Sequence, residues 1–220
     1  IIKIEMYTAS NYNKTNYKSE YVIVGTGAGG AVVGAQLAEQ NKEVLFIEEG
    51  GLFDTKDYST NISSMMQNLY RNGGAIPILG TPTFAFGEGN CVGGGTVINA
   101  GLIWRTPPWI LEEWETRYKL NGYGLKELEP HFNIIEKDLN VVRHIVEKDS
   151  NLDSLYMMQG ADKLGWKYVM APRSLKDCQN TNYCITGCPT GAKQSMLQSY
   201  LPSAAKNGSR LFSEFLYYWS

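Results

Sequence analysis

The sequence is poor in the residues that usually mark catalysis or cross-linking. It has only two histidines, His131 and His144, and four cysteines, Cys91, Cys178, Cys184 and Cys188, in 220 residues. That is too few cysteines for a disulfide scaffold at this length. Neither sign of charge dominates: Lys and Arg number 20, Asp and Glu 22, and the net charge is −2. There is therefore no electrostatic ground for a nucleic-acid partner or an anionic membrane. The five Trp and fourteen Tyr do not form a stacking platform along a basic groove, so no nucleic acid is expected. No apolar run reaches the ~18 residues of a membrane-spanning helix, and no signal peptide is read. Repeats and low-complexity tracts are absent. The chain opens Ile1-Ile2 rather than with Met, and the expectation is a start that is trimmed or partial.

What the sequence does have is glycine, 23 residues of it, in clusters. Residues 1–19 are polar and read as a lead-in without a core. Tyr21–Val24 is a short apolar run ending at Gly25, which predicts a buried strand. Gly30, Val33, Gly34, Leu37 and Ala38 recur at helical spacing, and Asn41 is a left-handed stop. Val44–Ile47 predicts a second strand, parallel to the first across a βαβ crossover. From Gly73 to Gly95 the density of Gly and Pro predicts a long loop without regular structure, and a loop that long is usually functional. Helices are expected from Thr106 as cap to about Tyr118, from Leu125 to Leu139, from Leu152 to Leu164 with a stop at Gly165, and from about Met196 to Lys206.

Gly25-Thr26-Gly27-Ala28-Gly29-Gly30 fits G-x-G-x-x-G. Gly25 permits the tight turn off the strand, Gly27 lets backbone approach a pyrophosphate, and Gly30 lets the helix sit close to the sheet. The phosphates would lie on the positive end of the helix. Glu48 ends the second strand and can accept hydrogen bonds from a ribose; it would repel a 2′-phosphate. Glu49 is the alternative acid and would face the other side. With strand, helix and acid in place, dinucleotide binding is the expectation.

The second cluster, "GNCVGGGTVINAGLIWRTPPWILEEW", points to one dinucleotide. Gly93, Gly94 and Gly95 let backbone press against something flat, and Thr96 and Asn99 offer polar groups beside it. This cluster, the first fingerprint with "VLFIEEG", and the later "CQNTNYCITGCPTGAKQSMLQSYLPSAAKNG" resemble the glucose-methanol-choline (GMC) flavoprotein oxidoreductases. The branch is the one holding long-chain fatty alcohol oxidases and choline-dehydrogenase-like proteins. "GADKLGW" and "LEPHFNIIEKDLNV" fit it too, so the resemblance runs from about Tyr21 to Leu211.

The resemblance implies an α/β fold: a Rossmann-type FAD-binding βαβ core with helical and loop insertions, spanning 20–220 and incomplete relative to the family. It implies FAD as cofactor and an alcohol as substrate, long-chain or apolar, whose CH–OH is oxidised by hydride transfer to the flavin. By motif position, Gly25, Gly27, Gly30 and Glu48 would hold the ADP part. Gly93, Gly94, Thr96, Asn99 and Ala100 would lie along the pyrophosphate, ribityl chain and ring. The family often has Ser at Gly95 and Gly at Ala100.

The proton-accepting His of the family lies in the last part of chains far longer than this one, so the resemblance implies no catalytic residue in this chain. His131 and His144 read as solvated or partly packed. The expectation is an N-terminal portion, inactive alone, with a C-terminal half or an electron acceptor as partner, and with its apolar sheet edges exposed. Cys178, Cys184 and Cys188 read as buried free thiols, a disulfide pair or a cluster site; Lys193 reads as solvated, or as a cation near the flavin. The alternatives carried are an NAD-dependent dehydrogenase and a non-catalytic remnant or partner subunit.

Overall fold

The computed structural model describes residues 5–8, 16–143 and 151–215. They divide into two compact units, residues 1–100 with 177–220, and residues 101–176.

The first unit is built on a four-stranded parallel sheet. Its strands are β1 (Glu5–Thr8), β2 (Tyr21–Val24), β3 (Val44–Ile47) and, from the far end of the chain, Arg210–Ser213. The last lies between β1 and β3, and β2 forms the opposite edge. Helix α1 (Ala28–Glu39) makes the crossover from β2 to β3, and Asn41 takes the left-handed conformation at φ 60. The predicted βαβ unit is present.

Several expectations are corrected in this unit. The lead-in contains a strand: β1 pairs in parallel with Arg210–Ser213, and the Tyr7 and Tyr17 rings meet Phe212 edge-on at 5.0 and 5.3 Å. β2 is not buried. It is an edge strand whose Val22 and Val24 are 48% and 60% exposed. The buried face of α1 is also turned by one residue from the predicted stripe, to Ala31, Gly34, Ala35 and Ala38, leaving Val33 exposed. The reason is close packing. A Cβ on Gly34 would come within 2.2 Å of the Phe46 ring, so β3 accepts only the smallest side chains beneath α1.

Helix α2 (Ile62–Leu69), which the sequence pattern did not reveal, starts at Asn61, whose side chain accepts from Ser64 N–H. Its Met65 and Leu69 pack with Cys91, Val97 and Ile98 in one buried cluster. The Gly73–Gly95 stretch is not without regular structure. It holds an antiparallel hairpin, β4 (Ile76–Ile78) with β5 (Phe84–Phe86), and one turn of helix, α3 (Gly95–Ile98), begins at its last residue.

The second unit carries α4 (Pro108–Thr116), α5 (Leu125–Asp138), β6 (Val141–Arg143), α6 (Leu152–Leu164) and β7 (Pro172–Ser174), with β6 and β7 antiparallel. The cap of α4 is Pro107 rather than Thr106, and Pro108 takes the first helical position. Helix α6 starts at Asn151, which accepts from Ser154 N–H, and stops at Gly165 with φ 68. Arg105 grips Glu136 through two nitrogens, at 2.7 and 2.6 Å. The last helix among the described residues, α7 (Tyr200–Lys206), belongs to the first unit and packs on α1. With α7 placed, Arg210–Ser213 is β8.

Candidate functional site

All nine sequence-predicted site residues fall in the first unit. Gly25 turns the chain off β2 with φ +88, a conformation only glycine enters without strain, and its N–H is held by Ile47 O at 2.8 Å. Helix α1 then begins at Gly27 with no side-chain cap and no acid in its first turn. The first amides of a helix have no partner within it, and here no side chain closes over that end. A Cβ added at Gly25, Gly27 or Gly29 would meet nothing within 4 Å, whereas one at Gly30 would lie 2.1 Å from Gly25 O. Three glycines therefore border open space, and the fourth holds helix against turn.

The second glycine bend lies directly on the first. Gly93 (φ +95) and Gly94 (φ +55) are both left-handed. A Cβ on Gly94 would come within 2.9 Å of Gly27 Cα, and Gly93 N–H donates to Thr26 Oγ1 at 2.8 Å. Gly95 borders open space like Gly27.

Thr26 joins these parts and was not singled out in the sequence. It is fully buried. Its N–H and its hydroxyl both donate to Glu48 Oε2, at 2.9 and 2.6 Å, while its oxygen accepts from Gly93. Glu48 Oε1 accepts from Gly50 N–H at 2.9 Å. The buried carboxylate thus ties the first glycine turn to the end of β3. Three of its roughly four acceptor positions are used, which leaves room for one more donor. The available signal was the hydroxyl between two glycines, a residue able to bond in two directions.

Glu49 faces a different partner. Its two oxygens receive both terminal nitrogens of Arg71, at 2.6 and 3.0 Å, and Arg71 Nε donates to Glu88. Hydrogen bonding from Arg71 outweighs partial burial and holds the Glu49 carboxyl below its usual range.

Thr96 turns its hydroxyl inward: Oγ1 donates to Gly93 O at 2.6 Å and accepts from Met196 N–H at 3.0 Å. Asn99 and Ala100 are exposed at the end of α3. Beneath them lies Lys193, 2% exposed. Its ammonium donates to Val97 O, Asn99 O and Cys184 O at 2.6, 2.7 and 2.5 Å. It is therefore not a solvated lysine but a buried clamp on the chain that leads to Asn99.

The four cysteines are free thiols, and among the described residues no group of three His, Cys, Asp or Glu could hold a metal. The disulfide and cluster readings of the cysteine loop therefore find no geometry among those residues. His131 is exposed on α5; His144 lies outside the described residues.

The fold and this turn define an α/β protein with a glycine-rich crossover at one end of a parallel sheet. Residues 66–216 match the GMC oxidoreductase family, and the chain belongs to it. It is 34% identical over 196 residues to an uncharacterized GMC-type oxidoreductase of Sinorhizobium fredii, covering 89% of this chain and 38% of that one. A long-chain-alcohol oxidase of Arabidopsis thaliana is 30% identical over 197 residues, or 90% of this chain and 26% of the plant protein. The chain thus spans well under half the length of these relatives. Among solved structures, pyridoxine 4-oxidase from Mesorbium loti shares the fold, with a TM-score of 0.64, 16% identity, and coverage of 90% of this chain and 42% of the oxidase.

Proposed function

We propose that this chain supplies the FAD-holding portion of a flavoprotein that oxidises alcohol CH–OH groups. The observation that carries the reading is the contact of the two glycine bends. Thr26 bonds Gly93, Gly94 abuts Gly27, and open space borders Gly25, Gly27, Gly29 and Gly95. A pyrophosphate has negative charge and needs close backbone; bare α1 amides beside Cβ-free positions offer both.

When bound, FAD supplies the hydride acceptor. The chain's own residues bind and orient. Gly25, Gly27 and Gly30 shape the turn, and Glu48 holds it through Thr26 while offering its remaining acceptor position to a ribose hydroxyl. Gly93 and Gly94 bring the second bend against the first, and Thr96 fixes that bend from within. Asn99 and Ala100 would extend the cradle toward the ring, held from below by Lys193. None of these groups is placed to take the alcohol proton, so the chain alone turns over no alcohol. The proposed substrate class is an apolar primary alcohol, which rests on the similarity to long-chain-alcohol oxidases.

The test is titration of the purified chain with FAD, followed by quenching of flavin fluorescence, with NAD as comparator. Saturable binding of one FAD per chain is expected, with no NAD binding and no dye reduction on adding a long-chain alcohol. Binding of NAD instead of FAD would replace this reading with a nicotinamide-dependent one.

A further inference from the structure

Lys193 carries a charge that its role as a clamp does not require. The side chain is buried, and its nitrogen lies 2.6, 2.7 and 2.5 Å from Val97 O, Asn99 O and Cys184 O. A carbonyl only accepts, and a lysine nitrogen has three N–H groups only as an ammonium. Three carbonyl partners therefore fix the side chain in its charged form. Val97 lies within α3 and Asn99 caps its end, so two of the three bonds hold the turn that follows the second glycine bend. That bend is already held by an uncharged group: Thr96 Oγ1 donates to Gly93 O and accepts from Met196 N–H. A neutral donor would serve the same end at Lys193. Burying a charge is costly, which directs attention to what the charge itself does.

A buried charge of the opposite sign stands at the other end of the cradle. Glu48 is buried and grips the first glycine turn through Thr26. Cys91, 1% exposed, registers both charges. Burial, and then Glu48, push its thiol up to about 12, while Lys193 pulls the other way. The cradle is thus polar along its length, anionic at the first bend and cationic beneath Asn99. Such a field distinguishes ligands by where their charge lies. The two redox forms of FAD differ in this respect. Both carry the same pyrophosphate, but the oxidised ring is neutral and the reduced ring at mildly alkaline pH is an anion.

Resting on the FAD reading above, we propose that Lys193 is a positioning residue whose charge makes the cradle hold reduced FAD more tightly than oxidised FAD. It fixes the turn through the Val97 and Asn99 carbonyls, and the field of its ammonium favours the ring that carries negative charge. A unit charge within ~10 Å, at the effective dielectric of partly buried sites, changes binding by about tenfold. By linkage, the same factor shifts the bound cofactor toward accepting a hydride. Lys193 thus serves the chemistry without touching the alcohol.

The experiment measures the affinity of the purified chain for oxidised FAD and for dithionite-reduced FAD, by anaerobic equilibrium dialysis at pH 8. The wild-type chain is expected to bind the reduced form about tenfold more tightly. Equal or weaker binding of the reduced form overturns the proposal, and this comparison needs no substitution. Lys193→Gln keeps a donor for the carbonyls and removes the charge, and a thermal melt establishes that the variant is folded. It is expected to bring the two affinities to within about twofold of each other. Equal losses for both forms, with the wild-type ratio kept, would leave Lys193 a structural clamp and overturn the proposal while FAD binding stands. A wild-type chain that binds neither form overturns the FAD reading itself, and this inference with it.

Discussion

Two glycines three residues apart separate binding from folding. Gly27 has an ordinary φ of −67, and a Cβ there meets nothing. Gly27→Ala is therefore expected to leave the melting temperature nearly unchanged. It should cost about tenfold in FAD affinity, or roughly 1.4 kcal/mol, because the added methyl occupies the space a pyrophosphate needs. A Cβ on Gly30 collides with Gly25 O, so Gly30→Ala is expected to destabilise the fold by about 1–3 kcal/mol, the range for an added group in a packed site. Thermal melts and fluorescence titrations of the pair check both halves; a melting loss in Gly27→Ala, or none in Gly30→Ala, contradicts the assignment. The same scale holds a pH dependence. Bonding to Arg71 depresses the Glu49 carboxyl in the folded chain. Its contribution is then present above the ordinary value near 4.5 and is lost as pH falls from there through the lower folded value. The pair is about a third exposed, so the effect is small, under about 1 kcal/mol. Arg71→Leu should flatten the acid side of a stability–pH profile by that amount, as measured by urea unfolding between pH 6 and pH 3.

At the scale of elements, β2 is the exposed feature. It closes one edge of the sheet, and Val22, Val24 and the neighbouring Val33 of α1 stand open. An uncovered edge with apolar side chains pairs with other chains. Concentration-dependent association is expected, and Val24→Lys should reduce it, as sedimentation velocity would show; unchanged association would locate the contact elsewhere. The sequence pattern read β2 as a buried strand, because a short apolar run looks the same at the centre of a sheet and at its margin; the expectation of exposed apolar sheet edges is the one that fits it. It found α6, whose Asn151 start and Gly165 stop are local signals, and it found the βαβ crossover. It missed β1 and β8 as partners, since pairing between residues 5–8 and 210–213 has no local signature. It missed the β4–β5 hairpin, whose three-residue strands are hidden by the surrounding Gly and Pro. The α1 face was misread because volume limits at Phe46, not apolarity, chose which residues turn inward.

For the molecule as a whole, the turn at residue 25 and the bend at residue 93 were each legible as glycine clusters. What the sequence could not show was the link between them: Thr26 to Glu48 on one side and to Gly93 on the other. Lys193 was similarly visible as a residue but not as a clamp, because its three carbonyl partners come from segments 94–96 and 9 positions away along the chain. The central claim is that the two bends form one cradle for FAD. Amide hydrogen exchange of the chain with and without saturating FAD tests it most directly. The account predicts that peptides covering residues 25–30 and 93–100 gain protection together on adding FAD, while α5 and α6 do not change. Protection of only one of the two bends, or of neither with FAD bound, would contradict it.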